Sequence, residues 1–262
     1  MTRHFSSFLN EKQIRQHLSL SATRINKLVI FSLLDSSNEW ALKYAQCGDV
    51  CLAEQQIAGR GRRGHIWHSP ANCNLYLSFK WCFPPKIQSI GLLGLFIAVT
   101  IAELLEMLGI TGHKIKWPND ILWKNKKLAG ILLESKGNSN EIVIGVGLNV
   151  NMDKQDIDNQ EFSSGWCSLR RISGNHWDRN LLTAQLLNHL VASLERFNTL
   201  SFSQFLEVWK KWDHLDGQLV IVHSSEKYMA KVVGINHDGS LLIEQETGIQ
   251  KSVYSADVSI RY

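Results

Sequence analysis

Residues 59–64 read Gly59-Arg60-Gly61-Arg62-Arg63-Gly64, a literal GxGxxG. In dinucleotide-binding folds that spelling follows a strand, opens a helix, and is trailed by a carboxylate about 20 residues on that holds a ribose hydroxyl. Two of those conditions fail here. The stretch His65–Asn74 contains Pro70 and turn-forming residues in place of a helical pattern, and no Asp or Glu occurs between Glu54 and Glu103. A doubly wound nucleotide fold is therefore excluded. What is left is a glycine-rich backbone carrying three guanidiniums in an acid-free stretch. Its chemistry suits a bidentate grip on a carboxylate or phosphate. On these residues alone it reads equally well as a solvated basic surface loop.

The elements on either side set the class. Val50–Gln55 reads as a strand ahead of the loop. After it Leu75, Leu77, Phe79 and Trp81 alternate with Asn74, Tyr76, Ser78 and Lys80, the pattern of a strand with one buried face. Upstream, Leu28–Leu34 gives strand signals, and Ser36 with Glu39 makes a capping-box pattern for a helix over Glu39–Cys47. Downstream, Ile90–Leu108 predicts a buried helix, since its apolar run Ile90–Ala102 is too short to span a bilayer and continues into Glu103 and Glu106. Strands are expected at Lys114–Trp117, Ile121–Trp123, Lys127–Ser135 and Glu141–Asn151. Leu182, Leu186 and Leu190 mark an amphipathic helix after the cap candidate Asp178, and a further helix is expected from Ser201 to Trp212. Beyond Asp216-Gly217 the texture changes to short strands at Gln218–His223, Tyr228–Ile235, Ser240–Glu244, Ile249–Tyr254 and Val258–Tyr262. The pattern predicts an α+β domain with a small β-barrel appended.

Composition bounds the functional classes. At 262 residues and 44% hydrophobic content the chain holds one large domain and a small one. Its formal charge of +4, with no long basic run, gives no phosphate-tracking face for a nucleic-acid partner. The cysteines Cys47, Cys51, Cys73, Cys82 and Cys167 are odd in number and lack CxxC spacing, so they read as buried or inert thiols. Met1–Lys27 lacks the apolar core of a secretory signal, which predicts a cytoplasmic protein.

Three further segments carry chemistry. Lys116-Trp117-Pro118-Asn119-Asp120 sets a proline-fixed turn between two expected strands, flanked by a lysine and an aspartate; on its own, a tight Asx-capped turn accounts for it better than a site does. Lys127 begins the otherwise apolar run Leu128–Leu133, where an ammonium must either snorkel to water or meet an anion. In Gly145–Asn151 the period of two puts Val146, Leu148 and Val150 on one face and Gly145, Gly147, Asn149 and Asn151 on the other. Glycines so placed mark close approach of a ligand or of another backbone, or a bulge.

Taken in order, Asp35-Ser36-Ser37-Asn38, Gln56 with Gly59–Gly64, Lys116–Asp120, Lys127–Leu132 and Gly145–Asn149 closely resemble the catalytic domain of bacterial biotin protein ligases, over about residues 28–262. The resemblance implies an α+β fold related to class II aminoacyl-tRNA synthetases, with a mixed sheet. The implied division is an arm over 1–27, a catalytic domain over 28–215, and an SH3-like barrel over 216–262. It implies an ATP-dependent ligase that forms biotinyl-5'-AMP and passes the biotinyl group to a lysine of a biotin carboxyl carrier protein, as in acetyl-CoA carboxylase. Biotin and ATP are then substrates, Mg²⁺ accompanies ATP without an assigned set of protein ligands, and neither a membrane nor specific DNA is a partner; a homodimer is left open. A lipoate-type ligase of related fold and a biotin-sensing regulator are the alternatives.

Residue by residue, the resemblance assigns Ser36, Ser37, Asn38, Gln56, Arg60, Gly61, Arg62 and Lys127 to biotin. Trp67, Lys116, Asn119, Asp120, Asn149 and Arg261 fall on the nucleotide side, and Arg60, Arg62, Lys127 and Asp120 carry the chemistry. Ser37 stands where the family commonly has threonine, and His65 where arginine is frequent. Relatives that repress biotin operons carry an N-terminal winged helix-turn-helix, and the stretch before Leu28 is too short for one.

Overall fold

The structure, a computed structural model, describes residues 8–85, 90–137, 140–156, 165–223, 227–254 and 259–261. A short helix, α1 (Glu11–Gln16), and a 3₁₀ turn at Leu20–Arg24 come first. They lie on the later helix Arg179–Arg196, with Leu9, Ile14, Ala22 and Ile25 buried, and the backbone of Asn10 donates to Asn180. The buried ion pair of Glu54 and Arg179 lies beneath this lead-in, its Nη1 to Oε2 distance 2.6 Å.

Seven strands form the central sheet: β1 (Leu28–Phe31), β2 (Val50–Ala53), β3 (Leu75–Cys82), β4 (His113–Lys116), β5 (Asp120–Trp123), β6 (Lys126–Ser135) and β7 (Glu141–Leu148). Their order is β1-β2-β3-β7-β6-β5-β4. β1 and β2 run parallel and the other neighbours antiparallel, so the sheet is mixed. The helices between and after them are α2 (Ser37–Tyr44), α3 (Ile90–Met107), α4 (Leu169–Ser173), α5 (Arg179–Arg196) and α6 (Phe202–Trp212).

Side-chain alternation decides what covers each face. On β7, Ile142, Ile144, Val146 and Leu148 join the main core with Leu77 and Phe79 of β3 and the apolar side of α3. Val143, between them, packs instead with Ala41 and Ala45 at α2. β3 therefore departs from the one-face-buried reading, because Tyr76 and Ser78 are as buried as their apolar neighbours, at 1% and 0% exposure. The polar residues of that strand face the α2 side, where protein rather than bulk water meets them.

α3 also corrects a reading. At 18 residues it is long and apolar enough to cross a membrane by length and composition. Burial inside the fold, not shortness, marks it as a core helix: Leu93, Leu95, Ile101 and Leu105 are fully buried. Each such side chain contributes about 1.5–3 kcal/mol of transfer free energy.

α2 starts at Ser37 and stops at Tyr44, earlier at both ends than its pattern predicts. Ser36 caps it by accepting from the Glu39 N–H at 3.4 Å, but the Glu39 carboxylate pairs with Lys43 at 2.7 Å, so only half of a capping box forms. The following turn carries Cys47 to the end of β3, held by the Gly48 N–H donating to the Lys80 carbonyl at 2.8 Å. Cys47 and Cys82 are joined there as a disulfide, with Cα atoms 5.6 Å apart, which overturns the reading of all five cysteines as thiols. A separation of 35 residues gives no sequence sign of the pair. The remaining cysteines, Cys51, Cys73 and Cys167, are buried, and burial pushes each thiol up to about 12.

The C-terminal strands β8 (Leu219–His223), β9 (Lys227–Ile235), β10 (Leu241–Glu244), β11 (Gln250–Val253) and β12 (Ser259–Arg261) form an antiparallel sheet of order β11-β10-β9-β8-β12. Val220, Val222, Ala230, Val232, Leu241 and Ile243 fill its core. Trp117, in the turn between β4 and β5, donates its indole N–H to the Gly239 carbonyl at 2.9 Å and ties this sheet to the larger domain. The Trp117–Pro118 peptide bond in that turn is cis.

Candidate active site

A cleft of about 180 Å³ opens on the α2 side of the sheet. It is built by the start of α2, Gln56 with the arginine loop, Tyr76–Ser78 of β3, the turn into β5, and the glycine-bearing centres of β6 and β7. Ser36, Ser37, Asn38, Gln56, Arg60, Gly61, Arg62, Trp67, Asn119, Asp120 and Lys127 all line it, so most of the residues singled out from sequence converge.

The arginine loop is a closed hairpin. The Gly61 N–H donates to the His65 carbonyl at 2.7 Å, the Trp67 N–H donates to the Gly59 carbonyl at 2.8 Å, and Arg60 bridges to Ile66. Its tip turns through Arg63 and Gly64 at φ 56° and 75°, left-handed conformations that cost Gly64 nothing but are uncommon for a side-chain-bearing residue such as Arg63. No long helix follows; a single 3₁₀ turn, Arg62–Gly64, leads into extended chain.

Trp67 then folds back onto the sheet. β6 and β7 place Gly130 opposite Gly147, and the indole lies on both. A Cβ at Gly130 would come within 2.8 Å of the ring, and one at Gly147 would overlap it. A Cβ at Gly145, two residues earlier on the same face, would overlap the Asn38 amide. The bare face of β7 is thus a platform for Trp67 and Asn38. The indole Nε1 is buried with no hydrogen-bond partner, a donor left for a ligand or water to satisfy.

Positive charge dominates the cleft. The Lys127 ammonium lies 2.9 Å from Asp120 Oδ1 and 5.1 Å from the centre of the Trp67 ring. Arg60 Nη2 lies 3.0 Å from Glu134. Burial, and next the neighbouring Arg63, lower the Arg62 pKa, while Asp120 pulls the other way; a guanidinium starting so high stays charged at neutral pH. Arg60, Arg62 and Lys127 outnumber the lining carboxylate, Asp120, which suits the meeting of two anionic groups.

The polar wall is pre-organised. The Ser37 N–H donates to Gln56 Oε1 at 2.8 Å, and Gln56 Nε2 donates to Ser69 at 2.9 Å. Asn119 donates its amide to the Ile131 carbonyl at 2.8 Å and receives the Ile131 N–H at 3.0 Å, clamping the β5 turn onto β6.

Three predicted residues stand elsewhere. Asn149 lies behind the cleft, 4% exposed, its amide donated to the carbonyls of Lys127 at 3.3 Å and Cys167 at 3.1 Å. Lys116 ends β4 outside the lining, and the side chain of Arg261 lies outside the described residues. Tyr76, Ser78 and Glu134 also belong to the site, though nothing in the sequence singles them out. The first two line the cleft, and Glu134 takes Arg60 and Asn38 from its edge. The only sign of Tyr76 and Ser78 was the polar alternation of β3, which reads as a solvent face.

Residues 31–151 match the "Biotin/lipoate A/B protein ligase family", and residues 217–261 match the "Biotin protein ligase C terminal domain". Fold and cleft thus define a protein ligase of the biotin and lipoate class. The chain is 37% identical over 243 residues to "Bifunctional ligase/repressor BirA" of Salmonella typhimurium, covering 89% of this chain and 74% of that protein. To the Escherichia coli protein of the same name it is 36% identical over 260 residues, covering 97% and 78%. It superposes on "Biotin protein ligase from Aquifex aeolicus in complex with biotin and ATP" with TM-score 0.79, 29% identity, and coverage of 90% of this chain and 99% of that one. The chain belongs to the biotin protein ligase family.

Proposed function

We propose that this chain activates biotin with ATP and transfers the biotinyl group to a lysine of a biotin carboxyl carrier domain, such as that of acetyl-CoA carboxylase. The observation that carries the reading is the convergence of Arg60, Arg62 and Lys127 on one cleft beside the polar start of α2. A carboxylate is a poor electrophile. In the first step its oxygen attacks the α-phosphorus of ATP and pyrophosphate departs, leaving a mixed anhydride. In the second, a lysine amine attacks the acyl carbon and AMP departs with the bonding electrons.

The protein's share is positioning and charge neutralisation. Ser36, Ser37, Asn38 and Gln56 face the ureido end of biotin. Arg60, Gly61, Arg62 and Lys127 take the carboxylate and α-phosphate. Trp67, Asn119 and Asp120 take the nucleotide side, with Lys116, Asn149 and Arg261 in outlying support. Bound with ATP, Mg²⁺ would supply further charge neutralisation on the phosphates. Asp120, the carboxylate among the lining residues, is the group that would face such a cation, and its Oδ1 already lies 2.9 Å from the Lys127 ammonium. The catalytic unit is residues 28–215 and the barrel 216–262, and the cytoplasm supplies ATP and carrier. Incubation with ATP, Mg²⁺, biotin and a carrier domain, followed by intact mass of the carrier, tests the reading. One biotinyl increment is expected with biotin and none with lipoate; an unmodified carrier overturns it.

A further inference from the structure

A chain of hydrogen bonds runs from the start of α2, under the cleft, to the arginine loop, through two residues without an assigned role. Asn38 Nδ2 donates to Glu134 Oε2 at 2.7 Å, and Arg60 Nη2 lies 3.0 Å from the other oxygen, Oε1. The Ser78 hydroxyl lies 2.9 Å from Asn38 Oδ1 and 2.8 Å from the Ser37 hydroxyl. Glu134 sits on β6 two and four residues beyond Leu132 and Gly130, both of which line the cleft.

Donor and acceptor rules fix the direction of this chain. An ionised carboxylate only accepts, so the Asn38 NH₂ must face Glu134 and its carbonyl must face Ser78. Ser78 aims its one proton at that carbonyl and at the Ser37 hydroxyl oxygen beside it, so the Ser37 hydroxyl proton is left for the cleft. The remaining Asn38 N–H is a donor. A cyclic urea needs both kinds of partner, donors for its carbonyl and acceptors for its N–H groups.

Resting on the biotin reading above, we propose that Glu134 is a positioning residue. One oxygen sets the orientation of the Asn38 amide, and through Ser78 that of the Ser37 hydroxyl, while the other clips Arg60 and so anchors the arginine loop to the same wall. Ligand recognition at the ureido end and loop position at the carboxylate end then share one side chain.

The two jobs separate by substitution. In Glu134→Gln the side-chain carbonyl still accepts from Asn38, but the ion pair with Arg60 is lost. In Glu134→Ala both are lost. Biotin-dependent ATP–pyrophosphate exchange should show the biotin KM raised about tenfold in E134A, the cost of a misdirected buried amide, and changed by less than about threefold in E134Q. The ATP KM should stay near the parent value in both. Hydrogen exchange without ligands reads the clip alone. The Gly61 and Trp67 amides should exchange about two- to fivefold faster in both variants, the size expected for a pair whose arginine is 44% exposed. A biotin KM in E134A within twofold of the parent, or equal rises in both KM values together with a fallen thermal midpoint, overturns the amide role. Unchanged loop exchange overturns the clip. Absence of pyrophosphate exchange in the parent would instead defeat the biotin reading and the ureido role with it, while loop exchange still decides the clip.

Discussion

The Lys127 ammonium lies 2.9 Å from Asp120 Oδ1, joining the second residue of β6 to the first residue of β5 at the floor of the cleft. Both side chains remain about a third exposed, at 31% and 27%, so the pair is screened and contributes no more than about 1 kcal/mol to folding. Its consequence is local: a cation held ready beside the Trp67 ring.

Lys127→Ala should therefore separate activity from stability. Loss of a cation aimed at developing charge lowers the rate by about a hundredfold or more, while the urea midpoint should fall by no more than about 1 kcal/mol equivalent. Pyrophosphate release measured beside urea denaturation checks this. Equal free-energy losses in the two would mark Lys127 as a structural residue.

Arg62→Gly should leak the activated intermediate. A charge-assisted hydrogen bond to the adenylate is worth about 1.5–3 kcal/mol, so its loss speeds escape by roughly ten- to a hundredfold. Adenylation should continue while bystander lysines in an added unrelated protein become labelled. Bystander labelling at the parent's level, with adenylation retained, refutes loop retention.

Gly147→Ala should push Trp67 off the sheet, because the new methyl group would overlap the indole. Overpacking of this kind costs about 1–3 kcal/mol. In a Trp67→Ala background the same substitution should cost far less, since nothing then occupies that space. Denaturation of the two single variants and the double variant measures the coupling, and simple additivity would contradict the packing described.

Stability should fall in mild acid. His113 stacks on Trp212 with ring centres 4.5 Å apart, and its Nε2 donates to the Ala102 carbonyl at 2.9 Å. Burial lowers its pKa below the ordinary 6.5, outweighing the carbonyls of Ala102 and Ile110 that favour the protonated ring. Burial lowers His176 and His214 likewise. A folded state that binds these protons less readily than the unfolded chain is fully stable above about pH 6.5 and loses stability as the pH falls toward the depressed values. The thermal midpoint should drop between about pH 7.5 and about pH 5, less steeply in His113→Gln. A midpoint that rises over that range, or an unaltered slope in the variant, excludes the buried neutral ring as a cause.

The sequence by itself determined the α+β class, the C-terminal strands and most of the cleft's chemistry, because each depends on neighbours in the chain. The arginine loop and the Lys116–Asp120 turn are contiguous, and the two-residue period of Gly145–Leu148 separates its packing face from its bare one whatever lies across from it. Tertiary structure alone decided what covers each face. Ser78 looked like a solvent-side residue until α2, some 40 residues away, was laid over it, and Glu134 meets Asn38 across 96 residues of chain. Cys47 and Cys82 become partners, and Trp67 finds its two glycines, only when separate strands align. Periodicity along one strand reports how polar a face is; whether water, a helix or a ligand meets that face is fixed by contacts between distant segments, which no local pattern encodes.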